Sequence, residues 1–229
     1  MAAKTRLSVI RRVVATGLVP VLPLADAGTA LQLARACRDG GAQVVEFTNR
    51  GDGAVTVFGD VLAACREELG ELAVGVGSVS DAATAAAYAN LGADFVVGPT
   101  LDADTARLCH SRKLAYMPGC GSASEIAEAE ALGCEIVKIF PGGSVGGPGF
   151  AKAVRGPRPW TWLMPTGGVD ATEESLAAWF GAGVVAVGIG SKLVPADEVE
   201  RGEWSAISDR VATSLSHIVT YSIWQQEAL

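Results

Sequence analysis

The sequence has little of what a metal centre or a disulfide framework needs. It holds only two histidines, His110 and His217, which is too few for a His-rich site. Its five cysteines, Cys37, Cys65, Cys109, Cys120 and Cys134, are odd in number and form no CxxC pair. That argues against structural zinc and for the reduced thiols of a cytoplasmic protein. No apolar run has the length and continuity of a membrane span. Residues 1–17 carry scattered Lys and Arg with apolar positions at Leu7, Val9, Ile10, Val13 and Val14, the pattern of an amphipathic helix and not of a signal peptide. Positive charge is also scarce: the formal net charge is -7, so no basic face is expected for nucleic acid or an anionic membrane. An anionic ligand must then be held by local donors. No linker or low-complexity tract divides residues 1–229, which are expected to form one domain.

What is present is a repeated unit. Short apolar runs occupy 18–24 (LVPVLPL), 42–47 (AQVVEF), 72–78 (LAVGVGS), 94–97 (DFVV), 114–117 (LAYM), 135–140 (EIVKIF), 161–165 (TWLMP) and 184–188 (VVAVG). Alanine-rich helical segments separate most of them, several closed by glycine in "RDGGA", "NLGAD", "ALGCE" and "FGAGV". Ser122 and Glu125 in "SASE" have capping-box spacing. Strand and helix alternating in this way predict an α/β protein with an all-parallel sheet, and eight units predict a (β/α)8 TIM barrel. An open doubly wound sheet is the alternative. The segment 195–229 is expected to begin as a charged loop and to become a helix up to about residue 226.

Two charges interrupt the apolar strands. Lys138 lies in "EIVKIF" and Glu46 in "AQVVEF", although a charge taken out of water costs several kcal/mol unless it is paired or neutralised. On its strand alone Lys138 is accounted for equally by snorkelling or by a structural ion pair. In a barrel, however, Ile136, Lys138 and Phe140 share one face, and a lysine facing the helix layer would be pure cost. An interior position near the C-terminal end of the strand places Lys138 where barrel active sites sit. Glu46 lies equally close to the end of its strand, and Arg50 follows with the same parity.

Glycine-rich loops mark two further strand ends. "PTGGV" (165–169) and "GIGS" (188–191) let an anion approach backbone N–H groups, and a helix N-terminus there would add its dipole. The two loops contain Thr166, Gly167, Gly168, Gly190 and Ser191. A desolvated lysine with Arg50 nearby is expected to have a lowered pKa, and its free amine would attack a ketone. Glu46 would then move protons and Arg50 would hold a carboxylate, which together describe a lyase of 2-oxo acids. Three other readings use the same residues: an isomerase or synthase with Lys138 as an electrostatic group, a pyridoxal-phosphate protein, and a non-catalytic sugar-acid sensor.

The stretches "GGAQVVEFTNR", "VGVGSV", "LGADFVVGP", "MPGCGSASE", "VKIFPG", "MPTGGV", "GIGSKLVPAD" and "ERGEWSAISDRVA" run in order across about 9–212. Together they resemble the class I 2-keto-3-deoxy-6-phosphogluconate / 4-hydroxy-2-oxoglutarate (KDPG/KHG) aldolase family. The resemblance implies Lys138 as the Schiff-base lysine, Glu46 as the general acid/base, and Arg50 with Ser78 as anchors of the pyruvate-side carboxylate. It also implies that Thr166, Gly167, Gly168 and Ser191 meet the distal phosphate and that Pro99 and Phe140 line the pocket. A cytoplasmic homotrimer that needs no cofactor or metal is implied as well. The chain departs from the family pattern in "TNRGD", where leucine and threonine commonly flank the arginine, and at Ser78, where threonine is usual.

The remaining features read as packing. Trp160, Trp162, Trp179, Trp204 and Trp224 are expected in the core or at subunit contacts. The cysteines read as small buried hydrophobes, with Cys120 the one placed to border the site. His110 and His217 read as helix-surface residues.

Overall fold

The structure, a computed structural model, describes residues 2–221. Helix α1 (Arg6–Thr16) opens on Thr5, whose hydroxyl accepts from the Ser8 N–H, and stops at Gly17 in the left-handed conformation. Parallel strands and helices then alternate: β1 (Leu18–Leu22), α2 (Ala27–Asp39), β2 (Val44–Thr48), α3 (Ala54–Glu68), β3 (Ala73–Gly77), α4 (Ala82–Leu91) and β4 (Phe95–Val97). They continue with α5 (Ala103–Ser111), β5 (Ala115–Met117), β6 (Gly119–Cys120), α6 (Ala123–Ala131), β7 (Ile136–Ile139), α7 (Gly147–Arg155), β8 (Trp162–Pro165), α8 (Glu173–Gly181) and β9 (Val187–Ile189). Asp26, Asp81, Asp102, Ser122 and Thr172 each cap the helix that follows by accepting an N–H three residues on.

The strands form a curled, parallel sheet in two parts, ordered β5-β4-β3-β2-β1-β9 and β6-β7-β8. Only Pro118 separates β5 from β6. At the other join, Thr166 bridges Gly188 and the Val185 N–H donates to the Leu163 carbonyl at 3.0 Å. All eight expected runs therefore carry a strand. The last begins three residues later than expected, at Val187, and the two-residue β6 was not foreseen.

Alternation along the strands sorts the core. Val19, Val44, Phe95, Val97, Met117, Ile136 and Met164 point to the inner face, together with Val9, Ile10 and Val13 of α1. Val45, Phe47, Val76, Val96, Val137 and Ile139 point out under the helices. Inside the curl, a side chain on Gly75 would run into the Phe95 ring, so glycine there lets the large aromatic fill the centre.

Residues beyond 194 differ from expectation. The anticipated loop holds the short helix α9 (Ala196–Arg201), tied to helix α10 (Trp204–Tyr221) by Arg210, whose guanidinium donates to Glu198 at 2.6 and 2.9 Å. Helix α10 packs on α8 and α2; the rest of the helix expected up to residue 226 lies outside the described residues. No helix among the described residues is long and apolar enough to cross a membrane.

Several packing expectations are also corrected. Trp179 is buried in the core, whereas Trp160 is 64% exposed beneath Arg158, an Arg–aromatic stack at 5.6 Å, which leaves only the subunit-contact half of its expectation. Trp224 lies outside the described residues. His110 is half-buried rather than on the surface, its Nδ1 3.0 Å from the Leu132 carbonyl. Cys120 joins the cluster under the helices and so does not border the site: neighbouring residues alternate faces, and its neighbour Gly119 is the one paired with Lys138.

Candidate active site

Lys138 and Glu46 meet inside the curl. Register places Glu46 beside Val21 of β1 and Gly75 of β3, and Lys138 beside Gly119 of β6 and Met164 of β8. Both point to the inner face; the lysine Nζ lies 4.0 Å from Glu46 Oε1, with only 6% and 1% of the side chains exposed. Nζ also sits 5.0 Å from the centre of the Phe140 ring.

The Glu46 carboxylate occupies the space that a side chain on Gly77 would need. Burial pushes its pKa up from the usual 4.5, and the charges of Lys138 and Arg50 pull against that rise. Its second oxygen, Oε2, is buried and has no hydrogen-bond partner among the described residues. A carboxyl of this kind is ready to exchange a proton with a molecule bound against the lysine.

A cavity of about 670 Å³ opens at the C-terminal ends of β1, β2, β8 and β9. Its wall brings together seven of the sequence-predicted residues: Arg50, Phe140, Thr166, Gly167, Gly168, Gly190 and Ser191. Lys138, Glu46, Ser78 and Pro99 are not in that wall; Phe140, which is, connects it to the lysine. Ser78 follows β3 with φ 61, in the left-handed region. Pro99 holds its carbonyl so close to Gly119, the register partner of Lys138, that Gly119 has no room for a side chain.

Arg50 is exposed and has no ion-pair or hydrogen-bond partner among the described residues, so its fork of donors is free for a carboxylate. At the opposite end, Gly167 and Gly168 both take φ 79, and a side chain on Gly168 would press on Gly143 at 2.7 Å. The backbone N–H groups of Gly168 and Ser191 donate to no other backbone group among the described residues. Thr166 Oγ1 is buried against Gly188, also without a partner there.

The helix dipole expected at these loops is not what they offer. Helix α8 begins only at Glu173, with Glu173 and Glu174 in its first turn, and the short α9 opens with Asp197 and Glu198. Any anion there meets loop amides and side chains, not a helix end.

Four site residues escaped the sequence reading. Thr48 shares the parity of Glu46, lines the cavity and donates its hydroxyl to the Leu22 carbonyl at 3.3 Å. Lys192 and Asp170 line it as a pair 3.7 Å apart. Lys192 was findable, since it directly follows "GIGS". Gly77 was not, because a glycine in "VGVGS" carries no local sign of the carboxylate that will lie against it.

A sequence profile for KDPG and KHG aldolase matches residues 9–210. The 2-dehydro-3-deoxy-phosphogluconate aldolase of Pseudoalteromonas atlantica is 33% identical over 192 residues, which is 84% of this chain and 86% of that protein. The KHG/KDPG aldolase of Escherichia coli is 31% identical over 193 residues, covering 83% and 87%. Among solved structures, the KDPG aldolase of Legionella pneumophila, with pyruvate captured at low pH as a covalent carbinolamine, superposes with a TM-score of 0.80. It is 26% identical and covers 89% of this chain and 97% of its own.

Proposed function

The chain belongs to the KDPG and KHG aldolase family, and from that premise we propose that it is a class I, Schiff-base aldolase. Its substrate would be a 2-oxo-3-deoxy acid, such as 2-dehydro-3-deoxy-6-phosphogluconate or 4-hydroxy-2-oxoglutarate. The products would be pyruvate and an aldehyde, glyceraldehyde 3-phosphate or glyoxylate. The observation that carries this reading is the buried Lys138–Glu46 pair, 4.0 Å apart inside the curl, with Phe140 of the cavity wall 5.0 Å from the lysine Nζ.

In this reading the Lys138 amine adds to the C2 ketone, giving a carbinolamine that loses water to an iminium. Glu46 supplies and removes the protons of that dehydration. It then takes the proton of the C4 hydroxyl as the C3–C4 bond breaks; the bonding electrons move into the iminium, leaving an enamine, and the aldehyde departs. Protonation at C3 and hydrolysis return pyruvate and the free lysine. The iminium is itself the electron sink, so these steps call for neither a metal nor an organic cofactor. Arg50 and Ser78 hold the carboxylate of the pyruvate half, while Pro99 and Phe140 flank the lysine. Thr166, Gly167, Gly168, Gly190 and Ser191 receive the distal end of the substrate.

The two parts of the sheet are taken as one closed (β/α)8 barrel. The single proline between β5 and β6 and the Thr166–Gly188 bridge support this closure. Residues 1–229 are taken as one domain, acting as a cytoplasmic homotrimer.

Incubation with pyruvate, addition of borohydride and peptide mapping test the mechanism. A reduced adduct on Lys138, lost in Lys138→Ala, is the expected result. Folded protein that gives no adduct with excess pyruvate would sink the Schiff-base mechanism and favour an isomerase or a binding protein.

A further inference from the structure

Arg50 stands on a loop with little of its own to hold it. Between β2 and α3, Gly51 and Gly53 take φ 85 and φ 79, and Gly53 caps α3 with no side-chain hydrogen bond. The guanidinium has no partner among the described residues. A flexible arginine on such a loop would lose much of its binding energy to the entropy of being ordered.

One residue earlier the loop is gripped from two directions. The Asn49 backbone N–H donates to the Gly77 carbonyl at the end of β3, at 2.8 Å. The Asn49 side-chain oxygen accepts from the Tyr88 hydroxyl of α4 at 2.7 Å. Tyr88 is completely buried, and its ring meets Phe58 of α3 edge-on, with centroids 5.0 Å apart and planes at 87°. Its hydroxyl is therefore a fixed point, braced by the two helices that follow β2 and β3.

We infer that Asn49 and Tyr88 are positioning residues that set the Arg50 guanidinium for the substrate carboxylate. This rests on the aldolase reading and on Arg50 as the carboxylate anchor. Neither residue touches the reacting atoms; they act by holding the strand end from which Arg50 projects. The consequence is a split between binding and chemistry, since Lys138 stands on β7, which the clamp does not touch, and Glu46 is already fixed by the pairing of β2 with β1 and β3 three residues before Asn49.

The test uses the full-length protein with pyruvate as the probe and borohydride trapping as the readout, comparing Tyr88→Phe, Asn49→Ala and Arg50→Met. Tyr88→Phe removes one oxygen and keeps the ring on Phe58. It should raise the pyruvate concentration for half-maximal trapping by about tenfold while the maximal rate stays within about twofold. Asn49→Ala should reproduce that split, and Tyr88→Phe added to Arg50→Met should do nothing more, because the residue being positioned is gone. If Arg50→Met raises the half-saturation and the other two do not, or if they lower the maximal rate instead, the clamp is overturned alone. If Arg50→Met leaves it unchanged, the anchor role falls and the clamp with it. A wild-type protein that traps no pyruvate removes the aldolase reading and this inference together.

Discussion

The carboxylate of Glu46 lies in the space that a Cβ on Gly77 would fill. Because β2 and β3 run in register from Val44↔Ala73 to Thr48↔Gly77, the glutamate leans along its strand past its register partner Gly75 and onto Gly77. Gly77→Ala must push that carboxylate away from Lys138. Activity should fall by about two to three orders of magnitude, the scale of losing a placed acid/base, while Lys138 still traps pyruvate, more slowly. Steady-state kinetics alongside borohydride trapping would check this, and an alanine variant of near-normal activity would contradict it.

Burial holds the Glu46 proton on to a higher pH than the ordinary value of 4.5. In the proposed mechanism cleavage needs the ionised carboxylate to accept the hydroxyl proton, so kcat/KM should rise with pH along a limb lying above 4.5. Stability runs the other way for this group. Its folded pKa exceeds its unfolded one, so the folded state holds the extra proton; the contribution is complete below the unfolded value and is lost as pH rises through the folded value. Glu46→Gln should abolish the limb and lower kcat by about 10²-fold or more. A pH–rate profile of both proteins decides it.

All five cysteines are buried, and desolvation pushes each thiol up to about 12. Since the thiolate is the reactive form, the native protein at pH 8 should take up no iodoacetamide and keep its activity. After denaturation all five should react. Rapid labelling of any one in the folded protein would contradict the assignment.

Asp94 fastens the start of the chain to the sheet. One of its carboxylate oxygens accepts from the N–H groups of Ala3 and Lys4 at 2.8 and 2.9 Å, and the other from Val74 at 3.0 Å. Asp94→Ala leaves three N–H donors without their acceptor at a position only 2% exposed. It should cost about 2–4 kcal/mol, at roughly 1 kcal/mol or more per bond, with little change in kcat because the site is at the other end of the strands. Thermal unfolding beside steady-state rates would test it.

The alternation of strand and helix was legible because its cues are local. Apolar runs, Asx and Ser/Thr caps, and glycines such as Gly92, which ends α4 at φ 103, act within a few residues of chain. The inward face of Lys138 was legible for a similar reason: a strand offers two faces, and Val137 and Ile139 claim the one under the helices. Cys120 was misplaced because it was expected in a loop after β5, whereas the chain resumes past Pro118 as the short strand β6, whose alternation turns Cys120 under the helices.

By itself, the sequence determined that charged residues interrupt two apolar strands and to which side of their strands they point, since side-chain alternation is a property of the backbone. Tertiary structure alone decided that Glu46 of β2 reaches Lys138 of β7, that Gly77 is the slot for the carboxylate, and that Tyr88 of α4 holds Asn49 beside Arg50. Those relationships join segments far apart in the chain. They depend on the curl of the sheet and on helix packing, which bring such segments to within a few ångströms and leave no mark on the local order of the residues.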